Sequence, residues 1–111
     1  MNFKFKVNES TTLKDARNFL DELKSANVKE YNLNDILRVL HFLGAEEITA
    51  KGGSAIRFRH EILVGHPHHL DGIFKIHIIH KGGAKQLVSK IDFKVYMYGP
   101  LIQIIELQEA K

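Results

Sequence analysis

The sequence contains no cysteine. That absence excludes disulfide scaffolds, thiolate metal sites, iron–sulfur clusters and cysteine nucleophiles together, and it fits a reducing compartment. Nor does any apolar run approach the ~18 residues that span a bilayer. The opening stretch Met1-Asn2-Phe3-Lys4-Phe5-Lys6-Val7 alternates apolar and polar residues, which is a strand pattern and not a signal peptide. A cytoplasmic location without membrane contact is therefore expected. No Pro- or Gly/Ser-rich linker divides the 111 residues, and no internal repeat is found. One compact domain, with an extra element at one end, fits that length.

What is present is an ordinary globular composition, 44% hydrophobic and 26% charged, which argues against wholesale disorder. The net charge of +3 is unevenly spread. Residues 51–94 hold the basic side chains Lys51, Arg57, Arg59, Lys75, Lys81, Lys85, Lys90 and Lys94 against only Glu61, Asp71 and Asp92. Before and after this stretch acids slightly outnumber bases. A positive field confined to one part of a chain suits a polyanionic partner. The plain alternative is a solvated surface of mixed charge.

Periodicity predicts the elements. A short strand is expected over 2–7. A helix is expected over about 12–26, with Leu13, Ala16, Phe19, Leu20, Leu23 and Ala26 on one stripe and Thr12/Asp15 as a capping box. A second helix is expected over 33–43. Ile36, Leu37, Leu40 and Leu43 form its apolar face, Asn32 or Asn34 its cap, and Gly44 its stop. Glu46–Ala50 reads as a short strand and Lys51-Gly52-Gly53 as a turn. Ser54–Arg59 and Ile73–His80 alternate as strands. The segment between them, Ile62–Gly72, reads as a loop. Ile91, Phe93, Val95 and Met97 alternate and predict a fourth short strand. Gly99-Pro100 then opens a last helix with Leu101, Ile104 and Ile105 on its apolar side.

These expectations amount to an α+β fold. A three-stranded antiparallel sheet packs one face against helices and carries an extra N-terminal strand and helix. Ile56, Phe58, Phe74, Ile76 and Ile78 would face the helices. Ala55, Arg57, Arg59, Lys75 and His77 would form an outer, basic face. The phenylalanines fall mostly on apolar faces and read as core. Tyr96 and Tyr98 stay open between solvent, a partner and RNA. His41 reads as a surface or boundary residue. The histidines His66, His68 and His69 lack a set of four held ligands. No metal and no cofactor are expected.

Four segments in order carry a family resemblance. Leu43-Gly44-Ala45-Glu46 closes a helix, Lys51-Gly52-Gly53-Ser54 makes a turn, Ile56-x-Phe58-x-His60 forms a strand, and Ile76-His77-Ile78-Ile79-His80-Lys81-Gly82 leaves the next one. Over roughly 33–107 this resembles the HicA family of toxin ribonucleases. The resemblance implies a fold like the double-stranded-RNA-binding domain, with residues 1–30 as an extension and 31–111 as the HicA-like unit. It implies a toxin component of a bacterial type II toxin–antitoxin system that cleaves mRNA without metal. It also implies neutralisation by a HicB-type antitoxin, with a possible oligomer of the two. The implied catalytic positions are Gly53, Ser54, position 55 and His80. The implied RNA contacts are Lys51, Arg57, Arg59, Lys75, His77, Lys81 and Lys85.

One departure stands at the centre. The family's catalytic histidine follows Gly-Ser, and here that residue is Ala55. Alanine neither gives nor takes a proton. Either the chain is a degenerate member or its histidine was replaced so that a toxic protein could be produced. In both cases it is expected to bind RNA and cleave poorly or not at all. The alternatives are a non-catalytic RNA-binding module on the same basic face and a protein-binding domain that uses strand 2–7 or the acidic first helix.

Overall fold

The computed structural model describes residues 4–48, 55–66, 69–81 and 85–111; residues 55, 69, 70, 80, 81 and 85 are placed by their backbone. The elements in chain order are α1 (Leu13–Ser25), β1 (Glu30–Asn32), α2 (Leu33–Leu43), β2 (Glu46–Ile48), β3 (Ala55–His66), β4 (His69–His77), β5 (Ile79–Lys81), β6 (Lys85–Ser89), α3 (Lys90–Asp92), a π-helical turn (Phe93–Met97) and α4 (Tyr98–Glu109). The architecture is α+β, with an antiparallel three-stranded sheet in the order β2-β3-β4. A second three-stranded sheet has the order β1-β6-β5.

Both long N-terminal helices start and stop where local chemistry directs. Thr12 accepts from the Asp15 amide at 3.2 Å while the Thr12 amide donates to the Asp15 carboxylate at 2.9 Å, a complete capping box. Asn32 caps α2 by accepting from the Asn34 amide at 3.1 Å. Gly44 ends it in the left-handed region at φ 88°, which a glycine adopts without steric cost. The far end of α1 is closed by residues distant in sequence. The Tyr31 hydroxyl donates to the Leu23 carbonyl, and the Lys90 ammonium donates to that of Ala26. Carbonyls that have no partner within a helix are thereby satisfied. Burial pushes the Tyr31 phenol above its ordinary pKa.

One core holds the elements together. Ala16, Phe19, Leu20 and Leu23 of α1 join Ile36, Val39, Leu40 and Leu43 of α2, Phe58 and Leu63 of β3, Phe74 and Ile76 of β4, and Leu101, Ile104 and Ile105 of α4. Pairwise register along β3 and β4 puts Ile56 opposite Ile76 and Phe58 opposite Phe74 on the inner face. The Phe58 and Phe74 rings stack with centroids 5.7 Å apart.

Several expectations are corrected. Residues 62–66 and 69–72 are paired strand and not loop: β3 continues to His66 and β4 begins at His69. The regularity of the pairing is broken by a register shift. Arg59 faces Ile73 and Val64 faces Asp71, so residues 60–63 stand opposite Gly72 alone. The bulge turns His60 inward. Its Nδ1 accepts from the Ile62 amide at 3.1 Å, which leaves Nε2–H to donate to the Leu43 carbonyl at 2.7 Å. Gln108 of α4 donates to that same carbonyl at 2.9 Å. His60 thus ties the end of α2 to β3 and α4.

The strand expected over 73–80 divides at Ile78. Its first part pairs with β3 and its last part, β5, pairs with β6. Residues 91–97 are helical, not extended. Phe93 and Met97 are buried four residues apart, while Ile91 and Val95 are 74% and 62% exposed, so the apparent alternation belongs to two faces of a helix. Pro100 is therefore the third residue of α4 and does not open it. Proline lacks an amide hydrogen and its ring crowds the carbonyl four residues back, and the wider π turn just before it relieves that conflict.

Residues 4–7 of the expected first strand are not in a strand. Phe5 is buried instead between Phe19 of α1 and Phe42 of α2, with ring centroids 5.3 and 5.4 Å away, whereas Val7 is 55% exposed. The alternation there marks one anchor and not a pleat. Phe3 lies outside the described residues, as do Ala50, Lys51, Gly53 and Ser54, and His68.

Candidate nucleic-acid interface

The outer face of β2-β3-β4 is built in rows. Residues directly opposite in an antiparallel pair point to the same side. Ala55 faces His77 in the first row. Ile48, Arg57 and Lys75 form the second. Glu46, Arg59 and Ile73 form the third. Arg57, Arg59, Lys75 and His77 are all exposed, while their neighbours Phe58, Phe74 and Ile76 are buried. The basic face expected from the alternation is thus present over these four residues.

Its charge is graded. Arg59 stands across from Glu46, an opposite charge. Arg57 stands across from Lys75, a like charge. Ion pairs form between Arg17 and Glu109 at 3.1 Å and between Arg38 and Asp35 at 2.9 Å. Among the described residues Arg57 and Lys75 have no acidic partner. Like charges directly opposed across two strands are destabilising, by up to about 1 kcal/mol. Folding alone gives no reason to keep such a pair, and an anion over it would neutralise the repulsion.

An aromatic group borders this positive end. The exposed Tyr96 ring, on the π turn, meets the His77 ring edge to face with centroids 6.0 Å apart and planes at 73°. Tyr98 has a different role. Its hydroxyl donates to Asp21 at 2.5 Å and its ring lies 4.3 Å beneath the Lys24 ammonium. The hydrogen bond to Asp21, then burial and the nearby carboxylate charge, raise its pKa.

The other expected site residues separate into groups. His80 and Lys81 lie on β5 and Lys85 opens β6, so all three belong to the sheet β1-β6-β5. Ala55 begins β3. Lys51, Gly53 and Ser54 are outside the described residues. His60, placed by the sequence on the same strand as Arg57 and Arg59, has both ring nitrogens engaged in structural hydrogen bonds. His41 is exposed on α2. The pairing of His77 with Tyr96 was not foreseen, because the helical turn that carries Tyr96 alternates like a strand.

Among the described residues no group of three or more His, Asp or Glu side chains could hold a metal ion. No helix among them is long and apolar enough to cross a membrane. Set beside models of known protein families, curated proteins and solved structures, the chain matches none of them.

Proposed function

We propose that the chain is an RNA-directed toxin component of a bacterial type II toxin–antitoxin system, of the HicA endoribonuclease type, built on a double-stranded-RNA-binding-domain plan. The opposed pair Arg57 and Lys75 carries this reading. Two cations held together on a pleated face, with no acidic side chain in their row among the described residues, suit a chain of phosphates, and their cost in the free protein is recovered when phosphate binds. The succession α2, β2, β3, β4 and, after β5, β6, α3 and the π turn, α4 supports it, because a helix, three antiparallel strands and a final helix are what the resemblance implies. The first helix and the segment before it would be additions to that plan. The protein would act in the cytoplasm, and a HicB-type antitoxin would cover the outer face, since an acidic protein surface answers the same cations as RNA.

Position 55 contributes no acid–base chemistry to this reading. Cleaving RNA without a metal requires a base to take the 2′-hydroxyl proton and cations to stabilise the phosphorane. Restoring the imidazole tests the proposal. Ala55→His is expected to raise cleavage of a single-stranded RNA by about a hundredfold or more, with RNA affinity little changed. RNA binding that is salt-dependent, with no cleavage either before or after the substitution, would replace the toxin reading by that of a non-catalytic RNA-binding module. No RNA binding at low salt would remove both.

A further inference from the structure

Across the ladder from Ala55 stands His77. Opposed residues of an antiparallel pair carry their Cβ atoms about 4.5–5.5 Å apart and on one side of the sheet. His77 therefore stands at the same end of the ladder as position 55 and on the same side of the sheet. Two residues back on the same face, Lys75 stands opposite Arg57. His77 is exposed, and its ring is braced by the edge-to-face contact with Tyr96. His60 contrasts with it: both of its nitrogens are committed to backbone groups. No hydrogen bond ties the His77 ring to any described residue, and His77 lies one row along the same face from Arg57 and Lys75.

We infer that His77 supplies, from the neighbouring strand, the acid–base imidazole that position 55 lacks. This rests on the RNA-cleavage reading and names the residue that performs it. The His77 imidazole takes the proton of a ribose 2′-hydroxyl. The 2′-oxygen forms a bond to the adjacent phosphorus, and the bond from phosphorus to the 5′-oxygen breaks. The departing 5′-oxygen takes a proton from water, and the hydroxide so formed removes the proton gained by the imidazole. The products are a 2′,3′-cyclic phosphate and a 5′-hydroxyl. Arg57 and Lys75 stand where charge grows on the non-bridging oxygens.

The experiment uses the full chain and a fluorescent single-stranded RNA 20-mer, with cleavage and equilibrium binding both measured. Wild type is expected to release cyclic-phosphate ends. His77→Gln should lower the cleavage rate at least a hundredfold while changing affinity less than threefold and leaving the urea midpoint unchanged. Adding Ala55→His to that variant should restore cleavage, because the imidazole returns to the same end of the ladder. His41→Gln, on the exposed side of α2, should cleave like wild type. If His77→Gln cleaves at the wild-type rate, the assignment is overturned while the toxin reading stands. If wild type binds the RNA and releases no cyclic phosphate, the assignment is overturned, and the toxin reading stands or falls with cleavage by Ala55→His. Failure to bind RNA at 50 mM salt overturns the assignment together with the reading beneath it.

Discussion

Replacing Lys75 by glutamate separates a functional pair of cations from an incidental one, because it moves stability and binding in opposite directions. In the wild type Lys75 faces Arg57 directly across β3 and β4. Lys75→Glu converts a repulsive cross-strand pair into an attractive one. Removing the repulsion and adding the attraction together contribute about 0.5–1 kcal/mol in favour of the fold. Lysine and glutamate are both poor strand formers, so intrinsic propensity changes little. For a domain of this size the gain corresponds to roughly 2–4 °C in Tm. Binding moves the other way. With Arg57, Arg59 and Lys75 on phosphates, the logarithm of affinity for single-stranded RNA should fall against that of salt with a slope near −2, from about 0.7 per contact. Glutamate removes one contact and occupies Arg57, which leaves a slope of about −0.7. Fluorescence anisotropy at 50 and 200 mM salt, beside a thermal melt, reads both quantities. A variant that melts earlier and keeps the wild-type salt slope would refute the shared cationic face.

Two further outcomes follow from the packing. Gly72→Ala should cost at least about 2 kcal/mol in urea unfolding, since Gly72 has φ 73° and an added Cβ would lie 2.6 Å from the His60 carbonyl oxygen and 3.0 Å from Val64 Cγ2; a midpoint equal to wild type would mean that the bulge is not rigid. Tyr98 should make stability fall at high pH. The folded phenol holds its proton more tightly than the ordinary value of 10.0, chiefly through Asp21, so its contribution is complete below that value and is lost as pH rises through the folded pKa. Tyr98→Phe should flatten this alkaline limb in a pH series of chemical melts, and an unchanged limb would show that the hydrogen bond to Asp21 does not form.

What could be read from the sequence was whatever local chemistry decides. Thr12 with Asp15, and Asn32 with Gly44, mark helix ends through contacts within a few residues, and both helices stand where those signals put them. The two faces of β3 and β4 follow from a period of two, so Arg57 and Lys75 could be assigned to one side before their pairing was known. What failed depended on distant partners. The sequence Lys85-Gln-Leu-Val-Ser89 has little alternation, and it becomes a strand because β1 and β5 flank it. The glycines and histidines of 62–72 signal a break, but the bulge opposite Gly72 absorbs the irregularity and lets Leu63 be fully buried. In 91–97 the spacing fits a strand and a helix equally. Phe93, buried against the Tyr31 ring at 5.7 Å, decides for the helix, and that decision brings Tyr96 to His77. The site's second half was therefore hidden in a tertiary contact between β4 and a turn misread from its period.

The shape of the outer face bears on the class of ligand. Three concavities lie away from this face. One of about 330 Å³ sits between the N-terminal segment and α1, one of about 350 Å³ beside Phe42, and one of about 480 Å³ beside His60 and Gln108. Small-molecule sites are concave and enclose their ligands. Arg57, Lys75 and His77 instead project from a pleated surface bordered by Tyr96, where a ligand must gain its affinity from repeated contacts along its length. A flexible polyanion does so, through phosphates on the cations and an unstacked base against an exposed aromatic ring. An antitoxin that covers the same rows would displace RNA without any change of shape in this chain. Under the proposed reading, toxin and antitoxin complexes with RNA are mutually exclusive, and titrating an acidic partner should release RNA one for one.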